Sequence, residues 1–191
     1  MPGSRPSEVE RHVPVMMRAV RILRGSFPDL QVRMVLPNAS LAQQAKSLGM
    51  PAEVEIRISG LPESLAQADL AIASTGTVTM ECAWFGVPTV TLYKASWSNY
   101  QIARLIVKVN WLTMPNLLAN EEIFPEFIQD AARPQAIARA GLELLCDESR
   151  RAGVKARLAE IVASLGGPGA PRRESDHGNA RGQNGLTGPD G

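Results

Sequence analysis

The stretch ADLAIASTGTVTMECAWFGVPTVTLY, Ala68 to Tyr93, constrains the fold more than any other part of this chain. Asp69-Leu-Ala-Ile-Ala73 and Thr89-Val-Thr-Leu-Tyr93 are short apolar and β-branched runs, which read as buried strands. Between them, Thr77 to Phe85 has helical spacing with Val78, Cys82 and Phe85 as its apolar stripe, and Gly86-Val87-Pro88 ends it. Two strands joined through a helix lie parallel, with the helix crossing one face of the sheet.

The same alternation runs through the rest of the chain. Ser7 to Arg24 places Val9, Val13, Met16, Met17, Val20 and Leu23 at helical spacing, although Pro14 should kink or delay that helix. Gln31 to Leu36 reads as a strand. Leu41 to Leu48 reads as a helix capped by Ser40 and stopped by Gly49, and Val54 to Ile58 as a second strand. A short helix around Leu61 to Ala66 precedes the Asp69 strand. Beyond Tyr93, a helix is expected over Tyr100 to Val109, a brief fifth strand over Trp111 to Met114, and helices over Pro134 to Cys146 and Glu148 to Leu165. This order predicts an α/β domain over residues 1–165, a Rossmann-like parallel sheet with helices on both faces. Residues 166–191 hold half of the chain's 16 glycines and no apolar periodicity, so a disordered tail is expected there.

Composition closes off several function classes. A net charge of +1 gives no electrostatic footprint for nucleic acid. No apolar run reaches the roughly 20 residues of a membrane span, and no signal-peptide pattern opens the chain, so the expected compartment is the cytoplasm. Cys82 and Cys146 sit in apolar helical contexts and are expected as buried thiols. With His12 and His177 as the two histidines, a His-based metal site has almost no material, and neither metal nor cofactor is expected.

In a parallel sheet of this kind ligands sit outside the carboxyl ends of the strands. There the sequence places Ser74-Thr75-Gly76-Thr77, running from a buried strand straight into a helix. Small hydroxyl residues and a glycine leave the first helical amides uncovered, a site for a phosphate; the alternative is that one hydroxyl merely caps the helix. Glu81, one turn further, can accept from vicinal ribose hydroxyls, or it is a solvated surface acid. Pro2-Gly3-Ser4-Arg5 reads as a second turn that could offer backbone amides and the Arg5 guanidinium to a diphosphate; with no strand before it, the pattern alone favours the alternative, a frayed and solvated terminus. Asn116 and Gln129 are polar residues among apolar neighbours, which either meet a ligand or satisfy loop backbone. Tyr93, Lys94 and Asn99-Tyr100 line the exit of the fourth strand as weaker candidates. There is no Ser-His-Asp or Cys-His constellation, no GxGxxG and no GxxxxGK[ST].

PGSRPSEVERHVP, ASTGTVTMECAWFGVPTV and MPNLLAN with FPEFIQ, in that order, resemble the C-terminal half of lipid-A-disaccharide synthases, inverting glycosyltransferases of GT-B architecture. The resemblance covers about Pro2 to Leu165. It implies a half-site for the donor UDP-2,3-diacylglucosamine, whose sugar the family transfers to 2,3-diacylglucosamine 1-phosphate, giving lipid A disaccharide 1-phosphate and UDP. Arg5, Ser74, Thr75, Gly76, Thr77, Glu81, Asn116 and Gln129 fall on positions expected to hold the nucleotide diphosphate. No metal is needed, since helix dipole and cationic side chains would stabilise the departing diphosphate.

The resemblance also implies what this stretch does not carry. The acceptor-binding domain with its general-base carboxylate is absent, so no catalytic residue is assigned. The strand that should lead into Pro2 is absent too, which leaves an unpaired lane in the sheet. The chain is therefore expected to behave as a fragment, inactive alone, with Arg5 loosely held. The resemblance leaves room for a homodimer and for peripheral contact of the full enzyme with the membrane. The rival readings are a peptidoglycan N-acetylglucosaminyltransferase, a UDP-N-acetylglucosamine 2-epimerase, or a stand-alone nucleotide-binding module.

Overall fold

The structure is a computed structural model and describes residues 1–95 and 110–166. The helix expected over Tyr100 to Val109, the candidates Asn99 and Tyr100, and the tail beyond Gly166 lie outside the described residues.

Helix α1 (Pro6–Ser26) leads into β1 (Val32–Val35), α2 (Ala39–Ser47), β2 (Val54–Arg57) and α3 (Leu61–Ala66). The chain continues through β3 (Ala71–Ser74), α4 (Val78–Trp84) and β4 (Thr89–Tyr93). After the undescribed stretch come α5 (Met114–Ala119), β5 (Glu126–Ile128), a 3-10 turn (Gln129–Ala131), α6 (Pro134–Cys146) and α7 (Glu148–Ser164). Every strand pairing is parallel, as the strand-helix alternation requires. β1 lies beside β2 with Val32 opposite Val54, β3 beside β4 with Ala71 opposite Thr89, and β4 beside β5 with Thr91 opposite Glu126.

Helices cover both faces. Met16, Ala19 and Leu23 of α1 and Ile137, Ala138 and Leu144 of α6 pack on Val90 and Leu92 of the central strand β4. On the opposite face Cys82 and Ala83 of α4 meet Leu158 and Ile161 of α7, together with Ala71 and Phe124. The first half of α1 reaches past this core. Its Val9 and Val13 join Met34, Leu36 and the α2 residues Leu41, Ala42 and Ala45. One helix thus spans both strand groups.

The strands form two ladders, β1-β2 and β3-β4-β5, rather than one sheet. Between them runs a cleft of about 1070 Å³, walled by Val32 to Val35, Leu70 to Ile72, and Met16, Val20 and Leu23 of α1. This is the open lane expected in the sheet. Met1 enters its end: the ammonium donates to the Ile72 carbonyl at 2.9 Å, and the Met1 carbonyl accepts from the Ser74 amide at 2.9 Å. Alternate donation and acceptance across one residue is the pattern of a parallel ladder.

Several local expectations change. Trp111 to Met114 is not a strand; the third strand of the larger ladder is Glu126–Ile128, and Met114 instead opens α5. Pro115 suits the first turn of that helix, where its absent N–H is not needed. Pro14 neither delays nor interrupts α1, which starts at Pro6 and runs on through it. The flanking residues Val13 and Met16 are almost completely buried, so tertiary packing outweighs the one backbone bond that proline forfeits. The cap of α2 is Asn38, whose side chain accepts from the Leu41 amide at 2.9 Å, and not Ser40. In α4 the buried side is Thr79, Cys82 and Ala83, while Phe85 is exposed. Cys82 is buried as expected, but Cys146 at the end of α6 is exposed.

Candidate functional site

The Met1–Arg5 turn lies beside the exit of β3, because Met1 is hydrogen-bonded on both sides of Ala73. Its amides are not free. The Glu8 carboxylate folds back to accept from the Ser4 amide at 2.9 Å and the Arg5 amide at 3.2 Å, and lies 3.6 Å from the Arg5 guanidinium. A helix N-terminus leaves just such donors unsatisfied, and an acid in the first turn answers them. Gly3, at φ 122°, permits this approach. The expectation of a loose Arg5 divides accordingly. The turn that carries it is pinned at Met1, Pro2, Ser4 and Arg5, whereas the Arg5 side chain is 76% exposed and reaches solvent.

The second turn, Ser74 to Thr77, leaves β3 with Ser74 buried and Gly76 and Thr77 exposed. The Thr75 amide donates to the Leu92 carbonyl at 3.3 Å, and the Thr79 hydroxyl bonds the Gly76 carbonyl at 2.6 Å. No hydroxyl caps α4: Thr77 occupies the cap position without a side-chain bond. Among the described residues no acceptor meets the amides of Gly76, Thr77 or Val78. Gly76 sits at φ 147°, a backbone conformation that disfavours any other residue. Glu81 is exposed, one turn along the same side as Thr77, and pairs with nothing among the described residues.

The exits of β4 and β5 are tied together. The Gln129 side chain accepts from the Ala95 amide at 3.1 Å and donates to the Ala95 carbonyl at 3.4 Å, and the Lys94 ammonium donates to the Gln129 carbonyl at 2.9 Å. Gln129 holds φ 51°, a left-handed backbone that carries strain of about 1 kcal/mol or more in a non-glycine residue. Strain of that kind persists where surrounding bonds over-determine it, as they do here.

Asn116 is wholly buried in α5. Its amide donates to the Phe124 carbonyl at 2.8 Å and to Glu126 at 2.9 Å, and its oxygen accepts from the Ile123 and Phe124 amides at 2.9 and 2.8 Å. All four of its bonding positions are used. Glu126 in turn accepts from the amides of Leu112 and Thr113 and from the Thr113 hydroxyl. Of the two roles the sequence left open for Asn116, satisfying loop backbone is the one its contacts perform.

His12 connects the two halves of this arrangement. Its Nδ1 lies 2.7 Å from the Pro2 carbonyl, and its Nε2 accepts from the Lys94 amide at 2.9 Å. The ring is fully buried and meets the Tyr93 ring edge-on, centroids 6.2 Å apart. Burial pushes its pKa below the usual imidazole range, against the opposing pull of the Pro2 carbonyl and Glu8. Sequence reasoning passed over His12 and gave Glu8 only a helix-dipole role. The available signals were a histidine within the apolar stripe of α1 and an acid three residues after Arg5.

The sequence profile of the family described as lipid-A-disaccharide synthetase matches residues 1–174. A lipid-A-disaccharide synthase of Anaeromyxobacter sp. (strain K) is 38% identical over 179 residues, covering 92% of this chain and 47% of that protein. One of Syntrophus aciditrophicus (strain SB) is 33% identical over 176 residues, covering 91% and 46%. This chain therefore spans about half the length of the curated relatives it matches. Among solved structures, a protein described as a UDP-N-acetylglucosamine 2-epimerase of Listeria monocytogenes shares the fold, with a TM-score of 0.51 at 16% identity over 80% of this chain and 39% of that one.

Proposed function

This chain belongs to the lipid-A-disaccharide synthetase family, and we propose that it supplies the donor half-site of such a glycosyltransferase. In that reading it holds the UDP part of UDP-2,3-diacylglucosamine while the sugar passes to 2,3-diacylglucosamine 1-phosphate. One observation carries the proposal. The Met1–Arg5 turn and the exits of β3, β4 and β5 meet at one end of the parallel ladder and are linked by hydrogen bonds through Met1, His12 and Gln129.

Within that arrangement the groups left to meet a ligand are the Arg5 guanidinium, the Thr77 hydroxyl, the amides of Gly76, Thr77 and Val78, and the Glu81 carboxylate. Arg5 and the free amides suit the diphosphate, whose negative charge grows as the sugar departs. Glu81 suits the ribose hydroxyls as an acceptor. Asn116 and Gln129 act from behind: their side chains hold the loops after β4 and before β5. Lys94 adds positive charge at the β4 exit while anchored on Gln129.

No helix among the described residues is long and apolar enough to cross a membrane. Acylated substrates still have to be reached at a bilayer surface. Trp84 and Phe85 at the end of α4 and Leu117 and Leu118 on α5 are exposed, and we include peripheral membrane contact through them in the proposal.

Calorimetric titration of the purified chain with UDP tests the donor site. Binding is expected, with affinity about tenfold weaker in Arg5→Ala and in Glu81→Ala, while both variants keep the unfolding temperature of the parent. Absence of UDP binding by the folded parent chain, or equal affinity in all three proteins, overturns the reading.

A further inference from the structure

The bonding partners of His12 dictate its proton arrangement without reference to any titration. The Pro2 carbonyl can only accept, so Nδ1 must carry the hydrogen. The Lys94 backbone amide can only donate, so Nε2 must present its lone pair. A second proton would set two N–H groups against each other across 2.9 Å. His12 therefore has one permitted form in this fold, the neutral Nδ1–H tautomer.

That form joins the segments of Pro2 and Lys94, on either side of the candidate site, with His12 itself 82 residues from Lys94. Pro2 begins the turn that carries Arg5, and Lys94 begins the segment that Gln129 braces at the β5 exit. We propose that His12 is a positioning residue which, as the Nδ1–H tautomer, holds the Arg5 turn against the β4 exit and makes nucleotide-diphosphate binding depend on that one protonation state. The proposal rests on the donor-site reading above and deepens it.

Among the described residues, the charged and titratable groups facing the ring are few. Glu8 stands one turn before it on α1, the Met1 ammonium approaches from the chain start, and Tyr93 and Lys94 face it from β4 and its exit. Glu8 favours a charged ring and Met1 opposes it, while burial disfavours charge altogether, so the neutral form holds at neutral pH. On acidification the ring can gain a proton only by giving up the Lys94 amide. The Arg5 turn and the β4 exit then separate.

Three measurements decide the matter. Nitrogen-15 spectra of the histidine-labelled chain at about pH 7.5 are expected to show the His12 ring with Nδ1 protonated and Nε2 bare; a ring protonated at Nε2, or averaging between tautomers, overturns the proposal. His12→Phe keeps a buried ring and removes both bonds, and is expected to weaken UDP binding about tenfold at pH 7.5. It should also remove the part of the affinity loss between about pH 7.5 and 5.5 that exceeds UDP's own titration, measured on the parent side by side. Equal affinity and an unchanged pH profile overturn the proposal. Should His12→Phe fail to fold, hydrogen exchange at the Lys94 amide of the parent decides: acceleration on acidification ahead of its strand neighbours Leu92 and Tyr93 is expected, and exchange in step with them overturns it. If UDP fails to bind the parent at all, the donor-site reading falls, whereas the tautomer and exchange results still judge the His12 clamp.

Discussion

The carboxylate of Glu8 fills the space beside Gly3 so closely that a Cβ on residue 3 would lie 2.3 Å from its Oε2. The two residues make one device: glycine opens the turn at φ 122°, and the acid enters to accept the Ser4 and Arg5 amides. Gly3→Ala combines an unfavourable backbone with expulsion of Glu8. We expect a stability loss of about 2–3 kcal/mol, read by urea denaturation, with UDP affinity lost alongside. Glu8→Gln keeps one acceptor oxygen and should lose about 1 kcal/mol or less, so the pair of variants separates the cap from the charge.

Asn116 governs a different part of the domain. Truncating it to alanine strands the buried Ile123 and Phe124 amides and the Phe124 carbonyl, and takes one of four donors from Glu126. Asn116→Ala is expected to cost about 3 kcal/mol or more, which denaturant titration will register. A loss below 1 kcal/mol would show that the loop is held by other means.

The two thiols should behave oppositely. Burial pushes the Cys82 thiol up to about 11, and thiolate is the reactive form, so it is inert in the folded chain. Cys146 is exposed. Titration with an aromatic disulfide reagent at neutral pH is expected to modify one thiol in the native protein and both in denaturant, with mass spectrometry placing the native label on Cys146.

Stability should rise with pH between about 6 and 8. Burial lowers the Met1 ammonium from 8.0 to about 6, and burial also lowers His12 from its ordinary 6.5. Both groups bind protons more readily in the unfolded chain, so deprotonation favours the fold, for Met1 between about pH 6 and 8 and for His12 below 6.5. For Met1 the two-unit displacement corresponds to roughly 2–3 kcal/mol, present in full above pH 8 and lost as the pH falls through about 6. The ion-paired Glu55 and Glu143 are lowered from 4.5 by their arginine partners and act in a separate, more acidic window. Thermal unfolding across pH 5.5 to 8.5 will show whether the melting temperature climbs; a flat profile contradicts the burial of Met1.

Most of the fold was legible because hydrophobic periodicity is a local property. The β3-α4-β4 unit, the long α1 and the α6-α7 pair each announce themselves within a few turns of sequence. The brief strand over Trp111 to Met114 misled because a short apolar run does not reveal its conformation, and here the chain bends at Leu112 and Thr113 into α5, with Pro115 in its first turn and Asn116 anchoring it. Cys146 misled for a related reason: a helical apolar context does not say which side of the last turn faces outward.

The candidate site was legible as a set of turns and not as a set of contacts. Ser74 to Thr77 could be placed at a strand exit from the alternation alone, whereas Arg5, with no strand before it, is placed beside one by the family resemblance. Which of their amides are already taken could not, because Glu8 reaches Ser4 and Arg5 by side-chain geometry that spacing only hints at.

By itself the sequence determined the parallel α/β architecture, its family, and the turns from which a donor site could be built, since all of these rest on patterns within some 25 residues or on quoted motifs. Only the tertiary structure decided which polar side chains stay free. His12 meets Pro2 and Lys94, Asn116 meets Phe124 and Glu126, and Gln129 meets Ala95, because packing α1 and α5 against the ladder brings those groups together. A buried polar atom must find a partner there, and that requirement turns Asn116 and Gln129 from candidates for ligand contact into braces of the loops around β5.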